Sequence, residues 1–388
     1  MTTTETTSTS WFSRLGTSIK NILFGLLLVV GSVILLFWNE GRAVKTEQSL
    51  KEGASAVNSV SSEKKDPTNE GKLIHFSGQA KTPSILTDIE FGVGGSALKL
   101  RRIVEVYQWK ENTSSKTVEK IGGGVDTTTT YSYDKFWSDN LVDSSSFKES
   151  ENHQNPTAKL FEDKEWIAQN VNVGVFTISE DLLNSLSGYQ PLTVSKEMFS
   201  TLPTTTQEQL DLVGNLIYYK TNDSTLPEVG NTRLRYESII PQVVSIIAKQ
   251  SGDSLVPYRT TNGRNISMIQ TGDHTAKEMF EGAVSSNNTM NWILRFLGII
   301  LMFFGFRMVF ELLPVLASVI PFFGHVLGAG VSLVCGVLTI MVSFITIAVA
   351  WFTYRPLIGI SLILIAVLAY VFLIKRSKKS PVNPSLNK

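Results

Sequence analysis

The chain has 388 residues, 35 Lys and Arg against 34 Asp and Glu, a net charge of +1 and a single cysteine. Such a balance gives no hint of nucleic-acid binding, which would need a concentrated basic face; one cysteine excludes an intrachain disulfide and any CxxC or zinc cluster. The mean hydropathy of +0.09 averages two unlike materials. Residues 22–38 hold no charge and 292–374 only a handful, whereas 40–290 have ordinary globular composition.

In chain order, residues 1–17 begin with the low-complexity run MTTTETTSTS and are expected to be a disordered cytoplasmic tail. A first transmembrane helix follows over 18–38, long enough for a bilayer core. It is a retained anchor and not a cleaved signal, because Phe37, Trp38, Asn39 and Glu40 stand where a small-residue cleavage site would be needed. Residues 39–290 are expected to form an extracytoplasmic or luminal α+β domain, opening with a helical stalk over 42–57. Strand patterns recur at 73–79, 98–109, 127–137, 216–220, 233–238 and 242–249, with turn signals at Gly94-Gly95, Gly122-Gly123-Gly124, Asn222-Asp223 and Gly252-Asp253. Residues 182–186 and 205–212 look like short helices. The segment LIHFSGQ followed by LKLRRIVEVYQWK is echoed by LIYYKTN followed by RLRYESIIPQVVSIIAK, so an internal duplication is one explanation and chance likeness of strands the other.

Three further spans are expected: 291–313, 327–352 and 357–374, the last two joined by a turn at Thr353-Tyr354-Arg355-Pro356. The stretch 314–326, with Pro314 and Pro321, is too short to cross twice and is expected to be interfacial or re-entrant. Lys375, Arg376, Lys378 and Lys379 make 375–388 a basic cytoplasmic tail. Parity then puts the N-terminus on the same side and the large domain on the other. The fold class is thus an integral membrane α-helical protein of four spans with an inserted, strand-rich α+β domain.

Chemistry-bearing constellations are few. His75, His153 and His274 lack metal-ligand spacing, and no GxSxG, HExxH or P-loop occurs. Neither enzyme activity, a cofactor nor a metal is expected. Asn112, Asn222, Asn265 and Asn287 open Asn-x-Ser/Thr sequons at about the frequency chance gives. Gly324, Gly328, Ser332 and Gly336 recur every four residues, a spacing that lets helices approach closely, either within the chain or between copies. Arg307 and Glu311 can meet on one helix face as an intramembrane or interfacial charge pair, with His325 in the same zone.

The series Asn39-Glu40-Gly41-Arg42-Ala43, Asn69-Glu70-Gly71, Lys99-Leu100-Arg101-Arg102 with Glu105, Tyr107, Gln108 and Trp109, Tyr131-Ser132-Tyr133, Asn155-Pro156, Pro227-Glu228-Val229-Gly230, Gly252-Asp253 with Leu255-Val256-Pro257, Gly272-Asp273, and Tyr354-Arg355-Pro356-Leu357 resembles the LUMA family, also called transmembrane protein 43. The resemblance covers nearly the whole chain. It implies four spans, a large luminal domain and a scaffolding role with self-association, and it brings no catalytic residues. In animals it implies the endoplasmic reticulum and inner nuclear membrane, with lamins and emerin as partners; in a bacterium the inner membrane with a periplasmic domain. At the matched positions, Asn39, Glu40, Gly41 and Arg42 form a membrane-exit motif expected to fix helix depth, and of Arg101 and Arg102 one is expected to face solvent and one to pair inside. The expected function is a non-enzymatic membrane scaffold whose partners are lipids, further copies and other membrane proteins. A channel or transport subunit and a membrane-anchored ligand receptor are the alternatives.

Overall fold

The computed structural model describes residues 2–220 and 226–356. The expected fourth span at 357–374 and the basic tail at 375–388 lie outside the described residues, as does Asn222. The chain divides into two compact units. A strand-rich unit comprises Met1–Thr7, Ser49–Thr117 and Thr127–Ala283; a helical unit comprises Ser8–Gln48, Val118–Asp126 and Val284–Lys388.

Among the described residues the strand-rich unit is built mainly from two large sheets, beside two-stranded pairs at 86–88 with 93–95 and 258–259 with 265–266. One has eight strands, running in the order 2–9, 125–138, 99–119, 232–239, 216–219 and 210–213, with 190–191 and 164–167 paired alongside. The other has seven, in the order 268–271, 243–251, 254–256, 176–177, 172–173, 73–81 and 58–59, and 243–251 also pairs with 73–81. Pairing is antiparallel apart from 58–59 on 73–81 and a single step between 176–177 and 254–256. All six expected strands are present. Alternation sets their faces: along Lys99–Glu119, Leu100, Arg102, Val104 and Val106 are buried while Arg101, Ile103 and Glu105 are not. The partner strand answers in register, Val104 opposite Leu234 and Arg102 opposite Tyr236. One continuous core forms around Ile74, Phe76, Leu100, Val104, Phe176, Leu234 and Ile246, with Phe76 and Phe176 stacked at 4.7 Å.

A short helix α2 (Glu180–Ser185) presents Leu182 and Leu183 to this core and is capped by Ser179. The helix expected over 205–212 is only α3 (Thr204–Gln207); Leu210–Val213 instead extends and pairs with Leu216–Tyr219, because alternation at Leu210 and Leu212 fits a strand face. The echoed segments occupy unlike positions. Leu73–Lys81 sits in the seven-stranded sheet, whereas Leu216–Tyr219 pairs directly with Thr232–Ile239 in the other.

The expectation of a disordered tail is corrected. Thr2–Thr9 is a strand at the edge of Val125–Ser138, running in the opposite direction: Thr6 Oγ1 meets Thr128 Oγ1 at 3.1 Å and Ser8 donates to Asp126 at 2.6 Å. Low complexity was a poor guide because the repeated residue is threonine, whose branched Cβ suits a pleated edge facing another threonine run.

The helical unit contains the greater part of α1 (Trp11–Ala56), most of α4 (Ala276–Phe310), α5 (Leu312–Ala317) and α6 (Pro321–Tyr354). Among the described residues three helices are long and apolar enough to cross a membrane: Trp11–Ala56, Ala276–Ala317 and Pro321–Tyr354. The expected spans 18–38, 291–313 and 327–352 fall inside them, each longer than its apolar core. Residues 314–326 form no span of their own. They are divided between α5, a break at 318–320, and the first turns of α6, where Pro321 occupies the helix start. The stalk expected after the first span is simply the rest of α1. Its last turns belong to the strand-rich unit, where Glu52 accepts from Thr261 and Gly53 faces Ile266 and Phe280.

One buried polar group anchors the strand-rich core. Arg102 donates to Asp88 at 2.7 Å, to Glu90 at 2.7 Å and to the Glu162 carbonyl. Tyr236 donates to the same Asp88 carboxylate at 2.7 Å. Burial, and then the Asp88 charge, push the Tyr236 phenol far above its ordinary range. Arg101, by contrast, is on the outer face, paired with Glu237. Asp88→Ala leaves the Arg102 guanidinium, 4% exposed, without its buried partner. It is expected to cost about 3–5 kcal/mol, read as a loss of denaturant stability of the full-length protein in detergent. Arg101→Ala is expected to cost under about 1 kcal/mol.

Candidate functional site

Polar side chains placed in apolar helices are expensive unless every charge and donor is met. Among the described residues of the helical unit, a cluster that achieves this lies where α1 carries Asn39-Glu40-Gly41-Arg42. Glu40 is 2% exposed. Arg295 of α4 grips its two oxygens as a fork, Nε to Oε1 at 2.5 Å and Nη2 to Oε2 at 2.9 Å. Trp351 of α6 donates its indole N–H to Oε2 at 2.8 Å. The same guanidinium lies over the Trp292 ring at 4.8 Å and the Trp351 ring at 5.8 Å. A single carboxylate therefore joins three helices.

Its neighbours extend the lock. Asn39, fully buried, donates from Nδ2 to the Asn291 carbonyl at 3.0 Å and to Asn291 Oδ1 at 2.7 Å. Arg42 donates to Asn39 Oδ1 and, at 3.2 Å, to Asn287 Oδ1. Asn287 returns a bond to the Ala43 carbonyl at 3.1 Å. Gly41 leaves room for the Tyr354 ring: a Cβ there would sit 2.5 Å from the ring. One turn outward, Arg355 pairs with Glu47. All four residues of the motif thus bind other helices, or admit one, and the depth-setting role expected of it becomes a joining role.

The α4 side of this site was missed by sequence reasoning. Asn287, Asn291 and Arg295 recur every four residues and so share one face, a signal present in the sequence just ahead of the apolar run. Asn287, which opens one of the four chance-level sequons, is 7% exposed and bonded on both side-chain polar atoms. Also missed was the closest helix approach. A Cβ on Gly25 would lie 2.7 Å from the Gly305 carbonyl, and one on Gly305 2.9 Å from that of Gly25; both glycines are there so that α1 and α4 can touch backbone to backbone.

The small residues of α6 divide. Gly324 packs on Ser318, and a Cβ on Gly328 would lie 3.8 Å from Pro314, so this half of the stripe serves contacts within the chain. Ser332 back-bonds to the Gly328 carbonyl. At Gly336 a Cβ would meet nothing within 4 Å among the described residues. Arg307 and Glu311 do not pair: among the described residues no ion pair joins them, and Glu311 accepts from Asn21 of α1 at 3.0 Å. His325 bonds the Pro321 carbonyl and lies 3.6 Å from Glu119 of the 118–126 tip, a carboxylate that Arg14 also holds at 3.1 Å. In the strand-rich unit, His75 meets Ser59 and the His274 carbonyl, and His153 stacks on Tyr133 at 3.7 Å.

The α1 side of the clamp is made of residues the resemblance singled out, and comparison with known proteins points to the same family. The family profile for transmembrane protein 43 matches residues 106–356. This chain belongs to the transmembrane protein 43 family. Transmembrane protein 43 of Rattus norvegicus is 33% identical over 360 residues, which is 89% of this chain and 88% of the relative. That of Homo sapiens is 32% identical over the same shares, and the Drosophila melanogaster homolog is 32% identical over 90% of this chain and 93% of its own. No solved structure matches. As a member of the family the chain is an integral membrane protein.

Removing only one charge of the clamp strands the other in an apolar surrounding, whereas removing both does not. Glu40→Leu and Arg295→Met are each expected to lower stability by about 3–5 kcal/mol, and the double variant to regain most of that loss. Thermal melting of the four proteins in one detergent reads this directly. Additive losses would mean that the pair does not hold the helices.

Proposed function

We propose that the chain is a non-enzymatic multi-pass scaffold that self-associates and organises membrane protein assemblies through its extracytoplasmic domain. The observation that supports this most directly is the locked helical frame. Three helices are joined at one end by the Glu40 carboxylate, and two of them, α1 and α4, come into backbone contact at Gly25 and Gly305. Such interactions fix geometry and hold no reacting group. A frame of this kind presents its outer surfaces in a constant arrangement, which is what repeated assembly with other copies requires. The half of the α6 stripe around Gly336 supplies a face where small residues allow a further helix to come close.

In this reading the partners are lipids, second copies of the chain and other membrane proteins, with no nucleic acid, and the family resemblance favours the luminal or periplasmic side for the strand-rich unit. Chemical crosslinking in native membranes is expected to trap dimers or larger species, and Gly336→Leu to shift them towards monomer while leaving the melting temperature close to that of the parent. A strictly monomeric protein in native membranes would sink the proposal.

A further inference from the structure

Arg307 lies within the apolar run of α4 and takes no part in the clamp. Its Nη1 is buried and has no hydrogen-bond partner among the described residues. A second buried polar atom shares that condition, the hydroxyl of Thr339, on a residue 2% exposed. The two lie on facing helices at one level. Ser343 of α6 donates to Met302 of α4 at 3.3 Å, and Trp351 stacks near Arg295, so α4 and α6 run antiparallel in a known register. Five residues beyond Met302, about 7.5 Å along the axis, stands Arg307; four residues before Ser343, about 6 Å along, stands Thr339. Cys335, one turn from Thr339, is fully buried.

Neither group takes the usual way out. Hydroxyls in apolar helices normally back-bond to the carbonyl four residues earlier, as Ser32, Ser332, Thr346 and Thr353 do here; Thr339 does not. An intramembrane arginine normally pairs with a carboxylate or reaches the interface. Glu311, the carboxylate one turn away, is engaged with Asn21, and Nη1 is shut off from the surface. Two unpaired donors at one level, one of them permanently cationic, share a requirement for an acceptor carrying negative charge.

We propose that Arg307 and Thr339 form an anion site between α4 and α6, the guanidinium Nη1 and the threonine hydroxyl each donating to the same bound anion. The ligand chemistry is a compact acceptor, either a solvent anion such as chloride or the phosphate oxygen of an anionic lipid. The site is independent of self-association, since both donors belong to one chain.

Melting of the full-length protein tests it in two arms. In delipidated detergent, chloride is exchanged for gluconate at constant ionic strength; in nanodiscs held in gluconate, phosphatidylcholine is compared with and without phosphatidylglycerol. The parent is expected to melt several degrees higher with chloride in the first arm, or with phosphatidylglycerol in the second, since a ligand bound only by the folded state stabilises it. The responding arm names the source. Arg307→Met is expected to abolish the response. Thr339→Val, which keeps the shape, is expected to raise the half-effect concentration about tenfold, as loss of one hydrogen bond to a charged ligand does. Should Arg307→Met fail to fold, Thr339→Val alone carries the test. A parent that responds to neither anion, or variants that respond as the parent does, would overturn the proposal.

Discussion

A carboxylate cannot be left bare in an apolar surrounding, and Glu40 turns that constraint into architecture. Ionised, it needs donors on both oxygens; within reach are only those that other helices bring. Arg295 must therefore be at one level of α4 and Trp351 at one level of α6, and the register of three helices follows from the solvation of one group. The surrounding residues comply with it. Gly41 is glycine because Tyr354 occupies the space a side chain would need, and Asn39 is fully buried because Asn291 satisfies it. Greasy contact alone would not do this, since apolar side chains gain as much from lipid as from each other.

The same unit uses a second, quite different device further along. Between Gly25 and Gly305 there is no polar group to direct anything; the glycines remove side chains so that dispersion acts between backbones. One end is thus fixed by directional bonds and the middle by proximity. Specificity comes from the first and area from the second. A frame held in both ways resists shear as well as separation.

Much of this was legible in the sequence, and the failures have physical causes. Strands came through because half-buried sheets impose alternation, and Leu100, Arg102, Val104 and Val106 show it plainly. Reading one of Arg101 and Arg102 as inward and the other as outward rested on the same period; which is which came only with their partners, Asp88 for Arg102 and Glu237 for Arg101. The motif at Asn39–Arg42 was found, yet its role was not, because interhelix bonding depends on residues about 250 positions away whose level is set by folding. Thr2–Thr9 was missed since composition reports complexity and not edge compatibility. The glycine stripe on α6 drew attention while Gly25 and Gly305 did not, because a motif within one helix is visible in a sequence and a pair of single glycines on two helices is not.

Arg295 and Arg307 are on one helix, twelve residues apart, in similarly apolar sequence, and their fates differ. For Arg295 the fold supplies a carboxylate, an indole and two aromatic faces. For Arg307 it supplies Glu311 at the right spacing and then commits that carboxylate to Asn21. A structural role would be served as well by leucine or methionine at this position, at lower cost. Where a buried guanidinium nitrogen has no partner among the described residues, as with Arg307 Nη1, the proposed bound anion supplies one. That distinction separates the two arginines: the first builds the frame, and the second makes the frame responsive to what it binds.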